Sequence, residues 1–129
     1  MNPEEFKKRT KMFGLRIIRL VESLADTRAG RVIGNQLLRA GTSVGANYRA
    51  ACRAKSRADF ISKMGTVEEE ADESLYWLEM LVDAGLVKQT RVADLMKEGD
   101  EILSISVASI NTSRRHSQSA IRIPHSAMP

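Results

Sequence analysis

Arginines, carboxylates and one amide are the residues whose types and spacing could do chemistry. Arg39, Arg49, Arg53, Lys55 and Arg57 crowd the middle of the chain, and Glu68, Glu69, Glu70, Asp72 and Glu73 follow soon after. Clustered guanidinium and ammonium groups suit phosphate oxygens. Paired carboxylates suit a metal ion or a cation. Glu70 and Glu73 are three apart and share one face of a helix. Bundles that hold two metals in carboxylates also use a Glu-x-x-His on each of two helices. No such pair exists here, and the two histidines, His116 and His125, stand near the end of the chain. No metal and no cofactor are therefore expected. Cys52 has no nearby histidine base and reads as a small, inert core residue. With no nucleophile, base and acid to assemble, the expectation is a protein that is not an enzyme.

Asn47 is the polar residue in an unusual place. Ile33, Leu37, Ala40, Val44, Asn47 and Ala51 recur in steps of three and four, so a helix through them would aim the amide at its core. A buried amide without partners costs about 1–3 kcal/mol. Asn47 is expected to fix register inside the fold, as a buried Asn does in coiled coils, with ligand binding as the alternative. Glu70 and Glu73 are expected to join this polar core, pairing with Arg49, Arg53 or Asn47, or with a neighbouring subunit. Tyr48, Tyr76 and Trp77 lie off these stripes and suit interface packing or, alternatively, base stacking.

Four helices have to position these groups. The first opens at Asn2, a good N-cap, with Pro3 at the first helical position and Glu4 and Glu5 favourable to the helix dipole. Its stripe is Phe6, Phe13, Ile17, Leu20 and Leu24, widened by Met12 and Val21, and it ends near Ala25. Asp26 or Thr27 caps the second, which runs to about Arg53. Gly30, Gly34, Gly41 and Gly45 lie inside it, each costing about 1 kcal/mol relative to Ala. Close approach of another helix is the expected reason, and a kink near Gly41 the alternative. Ser56-Arg57-Ala58-Asp59 has the form of a capping box. The third helix follows with Phe60, Met64, Val67, Ala71, Ser74, Leu78 and Leu81 as its stripe, and Gly85 ends it as a left-handed C-cap. Thr90 is expected to cap the fourth, which buries Leu95, Met96, Ile102, Leu103, Val107 and Ile110. Residues 1–111 thus form one all-α, up-down-up-down four-helix bundle, and residues 112–129 a flexible tail.

Composition agrees. The chain has 129 residues, few aromatics, one cysteine and three prolines. One domain of that length buries a core without disulfides. A single cysteine fits a reducing compartment, no apolar run approaches the roughly 20 residues that cross a bilayer, and the first residues lack a secretion signal. A cytoplasmic protein with no membrane partner is expected. The net charge of +4 hides a split: residues 1–60 carry +8, residues 61–101 carry −7, and the remainder +3. Oppositely charged layers attract, within a chain or between chains, and the basic layer can also meet a polyanion.

Thr42-Ser43-Val44-Gly45-Ala46-Asn47-Tyr48-Arg49, Ser56-Arg57-Ala58-Asp59-Phe60-Ile61-Ser62-Lys63 and Glu70-Ala71-Asp72-Glu73-Ser74-Leu75-Tyr76-Trp77-Leu78-Glu79 together resemble the bacterial four-helix bundle family, also called the 23S ribosomal RNA intervening-sequence protein family. The resemblance runs from about Phe13 to about Ile110. Ala50 departs from it, since many relatives carry Glu there. The resemblance implies a small non-enzymatic bundle assembling into a ring, commonly a homopentamer. It also implies kinship with the accessory protein of diversity-generating retroelements, a basic ring that engages nucleic acid and a reverse transcriptase.

Two functional expectations follow. In the first, an oligomer binds RNA or a nucleoprotein complex through a basic surface of the first two helices, with Arg16, Arg19, Arg39, Arg49 and Arg53 on phosphates. In the second, the chain is a homo-oligomeric scaffold or protein-interaction module, a reverse-transcriptase accessory role included, and its charged layers satisfy each other.

Overall fold

The computed structural model describes residues 1–127, with side chains through His116. Its element order is α1 (Pro3–Glu22), α2 (Arg28–Ala51), α3 (Arg57–Asp83) and α4 (Gln89–Ala127), and no strand occurs among the described residues.

Local chemistry sets the helix starts. The Asn2 side chain accepts from the Glu5 N–H at 2.8 Å. Thr27, rather than Asp26, caps α2 by accepting from the Gly30 N–H at 3.0 Å. Ser56 accepts from the Asp59 N–H at 3.0 Å, while the Asp59 carboxylate accepts from the Lys55 N–H at 3.1 Å. The sequence proposed a capping box here; the Ser56 half forms as expected, while the carboxylate reaches one residue further back, to Lys55 instead of the N–H of Ser56. At the end of α3, Gly85 takes a φ of 73°. The Leu86 N–H then donates to the Leu81 carbonyl at 2.9 Å, closing the turn that glycine alone permits without strain. Thr90 does not cap: it lies inside the first turn of α4, which begins at Gln89.

Connections of a few residues force sequence neighbours to run antiparallel. α2 packs most extensively on α3, α1 packs on α2, α3 on α4, and α4 touches α1 more sparingly. Phe13, Ile17, Leu37, Val44, Met64, Val67, Leu78, Leu81, Val92 and Ile102 are fully buried between them. Each such side chain contributes about 1.5–3 kcal/mol by leaving water.

The α2 glycines do not open a path to α3. Gly34, Gly41 and Gly45 face α1, Gly30 faces Ala25 and Thr27 of the connection before α2, and α2 continues through Gly41 as unbroken helix. A Cβ on Gly41 would stand 2.2 Å from Ile17 Cδ1, one on Gly34 3.3 Å from Val21, and one on Gly45 3.3 Å from the backbone of Thr10 and Lys11. Gly14 of α1 answers from the other side, 3.5 Å from the Gly41 carbonyl by the same measure. Two backbones thus meet where four side chains are reduced to hydrogen.

α4 is longer than its periodicity indicated. Helical backbone continues to Ala127, through residues expected to form a flexible tail from 112; Met128 and Pro129 lie outside the described residues. An apolar repeat marks where a helix is packed, and a helix once nucleated propagates past it at little cost.

Candidate nucleic-acid interface

The step from Val44 decides which polar groups face outward. The buried stripe of α2 is Ile33, Leu37, Ala40, Val44, Tyr48 and Ala51. It advances four residues from Val44 to Tyr48, where the sequence reading advanced three to Asn47. Tyr48 enters the core because the Phe6 ring waits there, edge-on at 4.6 Å and 86°. Asn47 therefore turns toward the rim: it is half-buried and donates to the Ser43 carbonyl of its own helix at 2.8 Å. It reaches neither Glu70 nor Glu73, so the expected polar core of those three does not form. Burial, then contact with Cys52, pushes the Tyr48 phenol well above its ordinary value. Tyr48 stays neutral and is not a stacking platform. Cys52 itself is exposed rather than in the core.

Arg39 takes the place assigned to Asn47, Arg49 and Arg53. Its guanidinium bridges α2 to α3, donating to Glu70 at 3.3 Å and also to Glu73. Glu73 accepts a second bond from Trp77 Nε1 at 3.0 Å. A guanidinium held by two carboxylates has little left to offer a phosphate. The remaining carboxylates of the cluster, Glu68, Glu69 and Asp72, form no ion pair among the described residues. No three His, Cys, Asp or Glu among those residues gather into a metal site.

Nor do the other four arginines share a surface. Arg16 follows Arg9 by seven residues on the side of α1 that faces α4, where Arg9 donates to Glu98 at 2.8 and 2.7 Å. That bidentate pair, with Glu101 beside it, raises the Arg9 pKa further. Arg19 lies exposed near the other end of the bundle. Arg49 and Arg53 remain together at the end of α2.

What the fold does gather is a basic end. Antiparallel packing brings the start of α1, the end of α2 and the start of α3 side by side, as the Phe6–Tyr48 contact shows. Lys8, Lys11, Arg49, Arg53, Lys55 and Arg57 are exposed there. None forms an ion pair through its side chain among the described residues. Of the carboxylates present, Glu4 meets Lys7 at 3.2 Å and Asp59 meets Lys63 at 2.6 Å, while Glu5 accepts from the Asn2 side-chain amide at 3.1 Å and forms no ion pair among the described residues. The Lys63 contact and the Lys55 N–H hold the Asp59 carboxyl below its ordinary pKa. Lys8 and Lys11, on the expected basic surface of the first two helices, were not among the residues expected on phosphates. Their nearness to Arg49 depends on which face of α1 meets α2, and the signal that could have located it is Gly14 opposite Gly41 and Gly45.

From this end a groove of about 520 Å³ runs along the α1–α2 seam. Leu15, Ile18, Gly14, Gly45 and Ala46 form its floor and walls, and Lys7, Lys8, Lys11 and Arg49 its rim.

The model of the 23S rRNA-intervening sequence protein family matches residues 4–108, which takes in every cation of the basic end and every residue of the groove. The chain belongs to that family. The intervening-sequence fold is also seen in a crystal structure of a protein of unknown function, from the S23 ribosomal protein family of Bacteroides thetaiotaomicron. The two are 34% identical with a TM-score of 0.80, over 86% of this chain and 99% of that one. No curated protein matches this intervening-sequence protein. No helix among its described residues is long and apolar enough to cross a membrane.

Proposed function

We propose that this chain is a non-enzymatic RNA-binding bundle whose binding surface is the basic end. The observation that carries the reading is the gathering of six exposed cations from three segments, none held by a carboxylate. An unpaired surface cluster of one sign repels itself, and a polyanion relieves that repulsion. If all six cations met phosphates of single-stranded RNA, log K would fall with log salt with a slope of about −4. Fluorescence anisotropy with a short labelled single-stranded RNA measures it. Arg53→Glu/Arg57→Glu should lower affinity at least tenfold. Absence of binding at low salt, or binding that salt leaves unchanged, refutes the reading.

We propose further that the chain acts as a homo-oligomer, with the pentamer of the family resemblance as its expected size. Leu15 and Ile18 favour this, since they stand 37% and 36% exposed in the groove. Phosphates make no use of an apolar floor.

A further inference from the structure

We propose that the α1–α2 groove receives the outer stripe of α3 from a second copy of this chain, a contact that rests on the homo-oligomer reading and supplies its interface.

The groove has the form that takes a helix. Leu15 and Ile18 are one turn apart along its floor, and Gly14, Gly45 and Ala46 keep its walls low. Apolar anchors at that spacing between two packed helices seat a third. Lys8, Lys11 and Arg49 on the rim are free of carboxylates, so the helix that fits is acidic.

The chain carries such a helix face, exposed at Asp72, Tyr76 and Glu79 and half-buried at Ile61, Gly65 and Glu68. Ile61, Gly65, Glu68, Asp72, Tyr76 and Glu79 follow one another on α3 in steps of three and four. Tyr76 is 50% exposed. Glu68, Asp72 and Glu79 form no ion pair among the described residues. Gly65 is the telling position. A Cβ there would meet nothing within 4 Å, whereas the α2 glycines each admit a neighbour. Glycine inside a helix costs about 1 kcal/mol, and no contact within the chain offsets it. An opening on a carboxylate-lined helix suits the Leu15 or Ile18 side chain of another copy.

Groove and stripe are different surfaces of one chain, so each copy offers both halves; used head to tail, with one groove and stripe per pair of copies, the contact is heterologous and builds a ring where the rotation closes. Lys8, Lys11 and Arg49 are taken up by this contact, whereas Arg53, Lys55 and Arg57 stay outside the groove, which leaves three of the six cations of the basic end open to RNA in every copy.

Light scattering on the full-length chain over a range of concentrations tests this. The wild type should be oligomeric, with association weakening as salt rises. Lys11→Glu/Arg49→Glu and, separately, Asp72→Lys/Glu79→Lys should each raise the dissociation constant at least a hundredfold while circular dichroism keeps its helical signal. Mixing the two variants should restore complexes, because each reversed surface then meets its complement. Gly65→Leu, which fills only open space in the single chain, should also dissociate the assembly. A monomeric wild type sinks the homo-oligomer reading and this one together. An oligomer whose mass none of the three variants changes, or reversed variants that do not associate with each other, sinks this contact and leaves the other reading standing.

Discussion

Replacing Gly41 with alanine should destabilise the protein, although alanine is the better helix former. The intrinsic gain is about 1 kcal/mol. Against it stands a methyl group 2.2 Å from Ile17 Cδ1 and 3.0 Å from Ile17 Cγ2. Ile17 is completely buried, so its side chain cannot swing into water and α1 must shift. Overpacking of this kind costs about 1–3 kcal/mol. The net is a loss of about 1 kcal/mol, or about 4 °C in melting temperature for a domain of this size. Gly65→Ala makes the same chemical change where nothing lies within 4 Å. In the Lys11→Glu/Arg49→Glu background, where the proposed self-contact is removed, it should stabilise by about 0.5–1 kcal/mol. Urea denaturation followed at the helical circular dichroism band measures both. Ile17→Val removes the nearest offending carbon, so a cycle with Gly41→Ala should show a favourable coupling of at least about 0.5 kcal/mol. If Gly41→Ala stabilises as much as Gly65→Ala, the close approach of α1 to α2 has been misjudged.

Two further outcomes follow from the polar contacts. Tyr48 has its phenol pKa raised above the ordinary 10.0, so its contribution is intact below about pH 10. It is lost as pH climbs above that value, because only the unfolded chain then releases the proton. The slope reaches about 1.4 kcal/mol per pH unit, and Tyr48→Phe should flatten that part of the alkaline limb; identical limbs would count against the buried, neutral phenol. Arg39→Gln leaves Glu70 and Glu73 facing each other without their cation, at a cost of about 1 kcal/mol that shrinks in high salt. RNA affinity should be unchanged by it, and a tenfold loss would show that Arg39 is free to meet phosphate after all.

Much of this protein was legible before any coordinates. The apolar repeats of α1 and α3 mark buried faces that packing then uses: Phe6, Phe13, Ile17 and Leu20, and Met64, Val67, Ala71, Ser74, Leu78 and Leu81. Asn2, Ser56 and Gly85 mark three boundaries because capping is a contact among a few adjacent residues. Gly99 looked like an interruption of α4. It is buried, and its missing side chain gives room to Leu75 and Phe13, 2.9 and 3.4 Å from where a Cβ would be.

Local and periodic chemistry, carried by spacing along one chain, was enough to determine four helices, the buried faces of α1 and α3, the caps at Asn2, Ser56 and Gly85 and the imbalance of charge. It misjudged the α2 face at Asn47, the cap at Thr90 and Val107 of α4, which is exposed. The choice between Asn47 and Tyr48, the side toward which the glycines turn, the capture of Arg39 by two carboxylates and the meeting of Lys8 and Lys11 with Arg49 were settled by tertiary packing. Each depends on which helix lies opposite and at what rotation. A turn of about 100° per residue makes a slip of one position exchange a core residue for a rim residue, and only a partner such as Phe6 resolves it.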